Sequence, residues 1–282
     1  SIQPQSIQRQ SIQRQSIQAA IDLGTNTILM VTGRPLADGT VDILDDAHEI
    51  ARLGKGVDAS RRILPATMQR VCGLLAKYRE RAEELGAERV LAFGTSALRD
   101  AVNKSEFIAA AASEAGVSLI ELSGNDEARY TFAGAAFGLR LPDSPYAVLD
   151  IGGGSTELAC GQTGTVERSQ SVDVGAVRVT ERCFPQLPPT PGQLENARTM
   201  IGTRLDELFP LPADQPVVGV AGTVTTIGAL DAGAARFDSR DIDGYYLSRD
   251  AIISWSERLL HLTHDDIRAL PQVNEQRADI IG

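Results

Sequence analysis

Two segments of this 282-residue chain set out the same chemistry in the same order. Ala20-Ile21-Asp22-Leu23-Gly24-Thr25-Asn26-Thr27 and Val148-Leu149-Asp150-Ile151-Gly152-Gly153-Gly154-Ser155-Thr156 each run from apolar residues into an Asp, then into a glycine turn with hydroxyl side chains. An apolar run closed by such a turn and followed by a second apolar run reads as a buried strand feeding a tight hairpin. Glycines let backbone N–H groups come close to an anion, and Thr or Ser adds hydroxyl donors. Two such turns, each with a carboxylate at its strand end, suggest a cleft that holds phosphate and a divalent cation between two related lobes. Ordinary hairpins would also give strand, turn, strand, but they would not require Asp at the same offset from the glycines.

Two further turns share the pattern. Gly94-Thr95-Ser96-Ala97-Leu98-Arg99 follows the apolar run Val90–Phe93 and opens a helix, whose free N–H groups and partial positive charge suit phosphate. Arg99, in the first turn, could fork onto the same oxygens. Val220-Ala221-Gly222-Thr223-Val224-Thr225-Thr226 is again strand, glycine, hydroxyls, helix. Singly, either is more often a simple helix cap; four in one chain make a stronger signal. The phosphate-contacting candidates are therefore Asp22, Gly24, Thr25, Asn26, Thr95, Ser96, Arg99, Gly153, Gly154, Ser155, Thr156, Gly222 and Thr223.

The segment Ser123-Gly124-Asn125-Asp126-Glu127-Ala128-Arg129 separates two carboxylates. Ser123 and Asp126 have capping-box spacing, which assigns Asp126 to the helix start. Glu127 has no capping duty, is turned about 100° from Asp126 around the axis, and is placed at the mouth between the lobes. There it could act as general base toward water; alone, it would be a solvated helix-surface glutamate. Asp150 and Glu157 flank the Gly152–Ser155 turn from the two arms of one hairpin. Such hard oxygen ligands suit Mg²⁺, which takes one or two carboxylates plus substrate phosphates. Arg178, Arg52 and Lys55 are weaker candidates for further phosphates, with exposed surface charge as the plainer reading. His48, His261 and His264 share no ligand spacing, although His261 and His264 could meet on one helix.

The elements that must position these residues alternate. Strands are expected at Ala19–Leu23, Ile28–Gly33, Val41–Ala47, Val90–Phe93 and Ser118–Leu122, and in the second half at Tyr146–Ile151, Glu157–Gly161 and Val217–Ala221. Helices are expected from Pro65 to near Gly86, then over Ala97–Ala115, Gly175–Cys183, Gly192–Leu208, Thr225–Asp231 and Arg249–Leu262. That programme, begun twice by a hairpin, gives an α/β protein of two similar lobes. Residues 1–18, built on Ser-Ile-Gln-Arg-Gln, cannot form a core and read as a disordered or appended arm. The first lobe then spans 19–138 and the second 139–282, joined around Leu141-Pro142-Asp143-Ser144-Pro145. The net charge of −10 argues against nonspecific binding to nucleic acid or an anionic membrane. Three scattered cysteines and no bilayer-length apolar run point to a reducing, cytoplasmic setting. No Walker-type P-loop and no Gly-x-Gly-x-x-Gly follows a strand.

Taken together, the four turns, the Ser123–Arg129 segment, Asp150–Leu158 and Val174-Gly175-Ala176-Val177-Arg178-Val179-Thr180-Glu181 resemble the exopolyphosphatase/guanosine pentaphosphatase (Ppx/GppA) family, in order, from about residue 19 to the C-terminus. The resemblance implies two ribonuclease H-like domains around a central cleft, as in the actin/Hsp70/sugar-kinase superfamily. It implies Mg²⁺-dependent hydrolysis of the terminal phosphoanhydride of polyphosphate, or of the 5′ γ-phosphate of guanosine pentaphosphate. It places Glu127 as the catalytic glutamate, Asp150 and Glu157 on the metal, and Asp22, Arg99 and the turns at Gly24–Asn26 and Gly153–Ser155 on phosphate. A monovalent ion such as K⁺ and a homodimer are further expectations. Larger members carry a C-terminal HD-type domain, so the resemblance is to a short form. A nucleotide-gated scaffold of the actin or Hsp70 type, or a kinase of the same fold, are the rival readings.

Overall fold

The computed structural model describes residues 16–37, 39–139, 144–162, 164–238 and 241–281. The repetitive arm up to residue 15, residues 141–143 of the expected connection, and Gly282 lie outside the described residues.

Each lobe is built on a sheet that starts with an antiparallel meander. In the first, β1 (Gln18–Leu23), β2 (Thr27–Pro35) and β3 (Val41–Ile50) form the meander, and β4 (Arg89–Gly94) and β5 (Leu119–Glu121) add in parallel, in the order β3-β2-β1-β4-β5. In the second, β6 (Tyr146–Ile151), β7 (Thr156–Gln162) and β8 (Thr165–Val172) repeat it, and β9 (Val217–Val220) joins β6 in parallel, in the order β8-β7-β6-β9. This is the ribonuclease H-like arrangement twice over, with four strands rather than five in the second copy among the described residues. The second meander corrects one expectation. Thr165–Val172 carries few apolar residues and is not among the expected strands, yet it pairs from Thr156↔Val172 to Gln162↔Thr165 as a charged edge strand.

Helix α1 (Val57–Ser60) precedes α2 (Pro65–Glu84), which starts on a proline whose missing N–H costs a first-turn residue nothing. Val71, Cys72, Leu75, Tyr78 and Ala82 make its buried stripe. Gly86, at φ 84°, ends it, with Gly86 N–H donating to Glu83 and Ala87 N–H to Ala82. The single helix expected over Ala97–Ala115 is instead α3 (Ser96–Asp100) and α4 (Lys104–Ala110), followed by one wide π turn at Ala111–Ala115. The break has a cause. Buried Asn103 clamps Ile63 from both sides, accepting its N–H at 3.0 Å and donating to its C=O at 2.9 Å, while Val102 N–H donates to Arg61. That exchange draws the chain off the helical path.

Helix α5 (Gly124–Leu139) leaves the first sheet and packs Ala128 and Phe132 on Tyr146, Val148 and Ala159 of the second; Phe132 and Tyr146 stack at 4.7 Å. Helices α6 (Ala176–Cys183) and α7 (Pro191–Leu205) follow β8. Helix α8 (Ala221–Asp231) begins four residues earlier than expected, so Gly222 and Thr223 lie in its first turn. Helices α9 (Arg249–Leu260) and α10 (His264–Arg268) follow, and a single 3-10 turn at Glu275–Arg277 comes after them; His261 caps α9 and His264 opens α10, so they share no helix. The first lobe has one core, from Ala19 and Ile21 through Leu75 to Phe107. The second divides its core among clusters under β6–β9 and a C-terminal group around Leu230, Leu259 and Ile267. Among the described residues, no helix is long and apolar enough to cross a membrane.

Candidate active site

All four glycine turns sit at the carboxyl ends of parallel strands, where open α/β sheets bind ligands. β1 and β4 end in register, Leu23 beside Gly94, and Thr95 N–H donates to Leu23 C=O. β6 and β9 do the same in the other lobe, with Asp150 beside Val220.

Three of the turns touch. A Cβ on Gly153 would lie 3.1 Å from Thr25 Cβ, and one on Gly154 would lie 2.5 Å from Ser96 Oγ and 2.8 Å from Thr25 Oγ1. Only glycine lets the two lobes approach this closely. Thr25, Asn26, Thr95, Ser96 and Ser155 are all buried here. Thr25 Oγ1 and Asn26 Nδ2 have no partner within the protein although both atoms are buried. Buried donors left unpaired are costly and call for a ligand or solvent acceptor. Thr156 differs: its hydroxyl donates to Val174 C=O at 2.7 Å and so fixes the turn rather than facing it. The fourth turn stands apart. Gly222 is covered by the Arg277 guanidinium, into which a Cβ would collide, and Thr223 Oγ1 is a further unpaired buried atom. Ala221, at φ 65°, is a non-glycine residue in the left-handed region and turns β9 sharply into α8.

Between the turns lie the carboxylates of Asp22, Glu127, Asp150 and Glu157 and the guanidinium of Arg99. Arg99 Nη1 donates to Glu127 Oε2 at 2.6 Å and to Leu122 C=O at 3.1 Å; its Nη2 reaches Ser155 Oγ at 3.4 Å and Glu157 Oε1 at 3.8 Å. Arg99 therefore spans the cleft. Asp150 and Glu157 stand directly opposite in the β6–β7 hairpin, on one face. Ser171 donates to Glu157 Oε1 at 2.7 Å, while Glu157 Oε2 is buried without a partner. Ser123 caps the helix as expected, its Oγ accepting Asp126 N–H at 3.1 Å, while the Asp126 carboxylate returns to the Ser123 hydroxyl at 2.7 Å rather than to its backbone N–H, and Glu127 is left with Arg99.

Protein mass around these groups disfavours their charged forms. Burial, then Glu127 and Asp150, raises Asp22 to about 7, even though its carboxyl opens onto the water of the cleft. Burial and Glu127 raise Asp150 to about 6; burial, Glu127 and Asp150 raise Glu157 to about 8. Glu127 is also raised by burial, against the opposing pull of Arg99 and the Thr95 hydroxyl. Four mutually repelling carboxylates facing unpaired donors have the chemistry to hold cations and an anion together.

Sequence reasoning held Arg178 as a weaker phosphate candidate, with exposed surface charge the plainer reading, but its side chain is only 5% exposed. It donates to Gly154 C=O and pairs with Asp58 and Asp100. The signal was the run Val177-Arg178-Val179 on one short helix, which put apolar neighbours on either side of the charge. Arg52 is likewise engaged, with Asp279 and Gln276 C=O, and Lys55 is exposed. Neither reaches the turns.

The profile of the Ppx/GppA phosphatase family matches residues 35–282, and the chain belongs to that family. Its two ribonuclease H-like lobes carry the fold of this family of phosphohydrolases. It is 36% identical over 275 residues to exopolyphosphatase 2 of Mycobacterium tuberculosis, covering 94% of this chain and 86% of that one. It is 33% identical over 217 residues to the guanosine-5′-triphosphate,3′-diphosphate pyrophosphatase of Vibrio cholerae, covering 74% of this chain but 42% of that one. The crystal structure of an exopolyphosphatase-like protein superposes with a TM-score of 0.89 at 31% identity, covering 95% of this chain and 84% of that one.

Proposed function

We propose that this protein removes the terminal phosphate of inorganic polyphosphate, with Glu127 as the base that activates water. The observation that carries the reading is the Glu127–Arg99 pair set against the unpaired Thr25 and Asn26 donors of touching turns. Burial makes the Glu127 carboxylate more basic than a free glutamate, which suits proton abstraction near neutral pH. A phosphoryl group entering the turns competes for the Arg99 guanidinium, and that exchange releases Glu127 Oε2 toward water. The N–H groups of the turns, the Thr25 hydroxyl and Arg99 then oppose the charge that builds on the equatorial oxygens.

Asp150 and Glu157 fit a divalent cation. Glu157 Oε2 is an unpaired buried acceptor, its partner across the hairpin is a second carboxylate, and both are hard oxygens. No three His, Cys, Asp or Glu side chains among the described residues converge on one point, so water and phosphate oxygens would complete the shell, as Mg²⁺ prefers. When bound, Mg²⁺ supplies charge neutralisation for a polyanion entering a carboxylate-lined cleft.

Guanosine pentaphosphate presents the same terminal phosphoanhydride. Polyphosphate is favoured because similarity to an exopolyphosphatase extends over 94% of the chain, against 74% for the guanosine-directed relative. The test is Mg²⁺-dependent orthophosphate release from short polyphosphate, long polyphosphate and guanosine pentaphosphate in parallel. Faster release from polyphosphate is expected; release from guanosine pentaphosphate alone would overturn the choice of substrate.

A further inference from the structure

Arg178 joins the two lobes directly beneath the phosphate turns. It lies on α6, in the second lobe, and each arm of its guanidinium is engaged. Nε donates to Gly154 C=O at 2.8 Å, inside the glycine turn. Nη1 pairs with Asp58, on α1 of the first lobe, and Nη2 with Asp100 Oδ2 at 2.6 Å, at the end of α3. Nη2 also reaches Ser96 Oγ at 3.5 Å. One turn further along α6, Arg182 grips the same Asp58, at 2.7 Å from Nη2 to Oδ1. Gly56 N–H, just before α1, donates to Glu181 Oε1 at 2.9 Å. Arg61 Nη1 holds the other oxygen of Asp100 at 2.9 Å, which keeps that carboxylate turned toward Arg178. Burial would raise Asp58, but Arg182 and Arg178 outweigh it and hold the carboxyl below its usual range.

We infer that Arg178 is a positioning residue: it sets the spacing between the Gly152–Ser155 turn and the Thr95–Arg99 turn, and so pre-closes the cleft for a phosphoanhydride substrate. This rests on the reading of the turns as phosphate-contacting. With Nε, Nη1 and Nη2 each engaged, on Gly154, Asp58, Asp100 and Ser96, the guanidinium acts on the turns rather than on substrate. A lysine keeps the charge but has no planar fork to bridge a carbonyl and two carboxylates. A loosened clasp lowers the population of the binding-competent, closed arrangement. Apparent affinity then falls in proportion to that population, while saturating substrate can still draw the lobes together.

The variants Arg178→Lys, Asp100→Asn and their double are assayed for orthophosphate release from polyphosphate with Mg²⁺. Each single variant is expected to raise KM by about tenfold or more while kcat stays within about threefold, and the double should be little worse than the more affected single variant, because both substitutions release one clasp. Small-angle X-ray scattering, which needs no substrate, should show a larger radius of gyration for Arg178→Lys at unchanged far-UV circular dichroism. An equal fall in kcat and kcat/KM would make Arg178 a transition-state contact and overturn the inference. So would an unchanged radius of gyration, or a KM within twofold of wild type in both single variants. If wild-type protein releases no phosphate from polyphosphate, the functional reading fails, while the scattering result still decides whether the clasp exists.

Discussion

Glu127 and Glu157 lie in one cleft, yet their surroundings suit them to the different work proposed for each. Glu127 keeps a salt bridge to Arg99 at 2.6 Å and remains partly open to water, as a base must. Replacing it with Gln keeps the shape and removes the basicity, so turnover should fall by roughly 10²-fold or more. An orthophosphate assay on a variant of unchanged melting temperature checks this, and near-normal release would remove Glu127 from the role. Glu157 is 1% exposed, has one unpaired oxygen, and is raised to about 8. Its ionised form is a liability to the metal-free fold. Glu157→Gln should therefore melt higher than wild type at pH 8.5 without metal, and it should lose most of the Mg²⁺-dependent rise in melting temperature. Thermal melts with and without Mg²⁺ report both effects, and an undiminished Mg²⁺ response in Glu157→Gln would exclude this carboxylate from the metal site.

At the scale of elements, the turns act by contact between backbones. Gly175 begins α6 in extended conformation, and a Cβ there would lie 2.6 Å from Gly153 C and 2.7 Å from the carbonyl oxygens of Gly152 and Gly153. Backbone cannot move aside as a flexible side chain would. Gly175→Ala should cost about 1–3 kcal/mol, as overpacking does, and should displace the Gly152–Ser155 turn, cutting phosphate release by more than the stability loss alone explains. Chemical denaturation and activity on one preparation would separate these effects. Both hairpins and the Pro65 helix were legible because strand periodicity, turn glycines and helix stops are local signals. The break between α3 and α4 was not, since it depends on Asn103 meeting Ile63, 40 positions earlier in the chain. β8 was missed for a related reason: its charged residues suit an edge, and only the partner strand reveals the pairing. Glu127 was separable from Asp126 by capping logic alone. Arg178 needed the tertiary structure, because its two carboxylate partners come from α1 and α3 of the other lobe.

The molecule as a whole carries a net charge of −10 and places four carboxylates around the site where a polyanion is proposed to bind. Its stability should record that conflict. Asp22, Asp150 and Glu157 have folded pKa values of about 7, 6 and 8, against 3.8, 3.8 and 4.5 in the absence of the fold. Between these limits the folded state binds more protons than the unfolded one, so unfolding free energy falls as pH rises. Asp58 and Asp266 are shifted the other way, downward. Their contribution is complete once both states are ionised, above about pH 5, and is flat across the range that matters. The metal-free protein should therefore lose stability steadily as pH rises from about 5 to 8.5. Millimolar Mg²⁺ binds the ionised carboxylates and not the protonated ones, so it should stabilise little at pH 5.5 and most at pH 8.5, flattening the profile. Urea unfolding at several pH values, with Mg²⁺ or with a chelator, measures both slopes. A metal-free stability that rises from pH 5.5 to 8.5 would mean that the four carboxylates do not share one desolvated cleft.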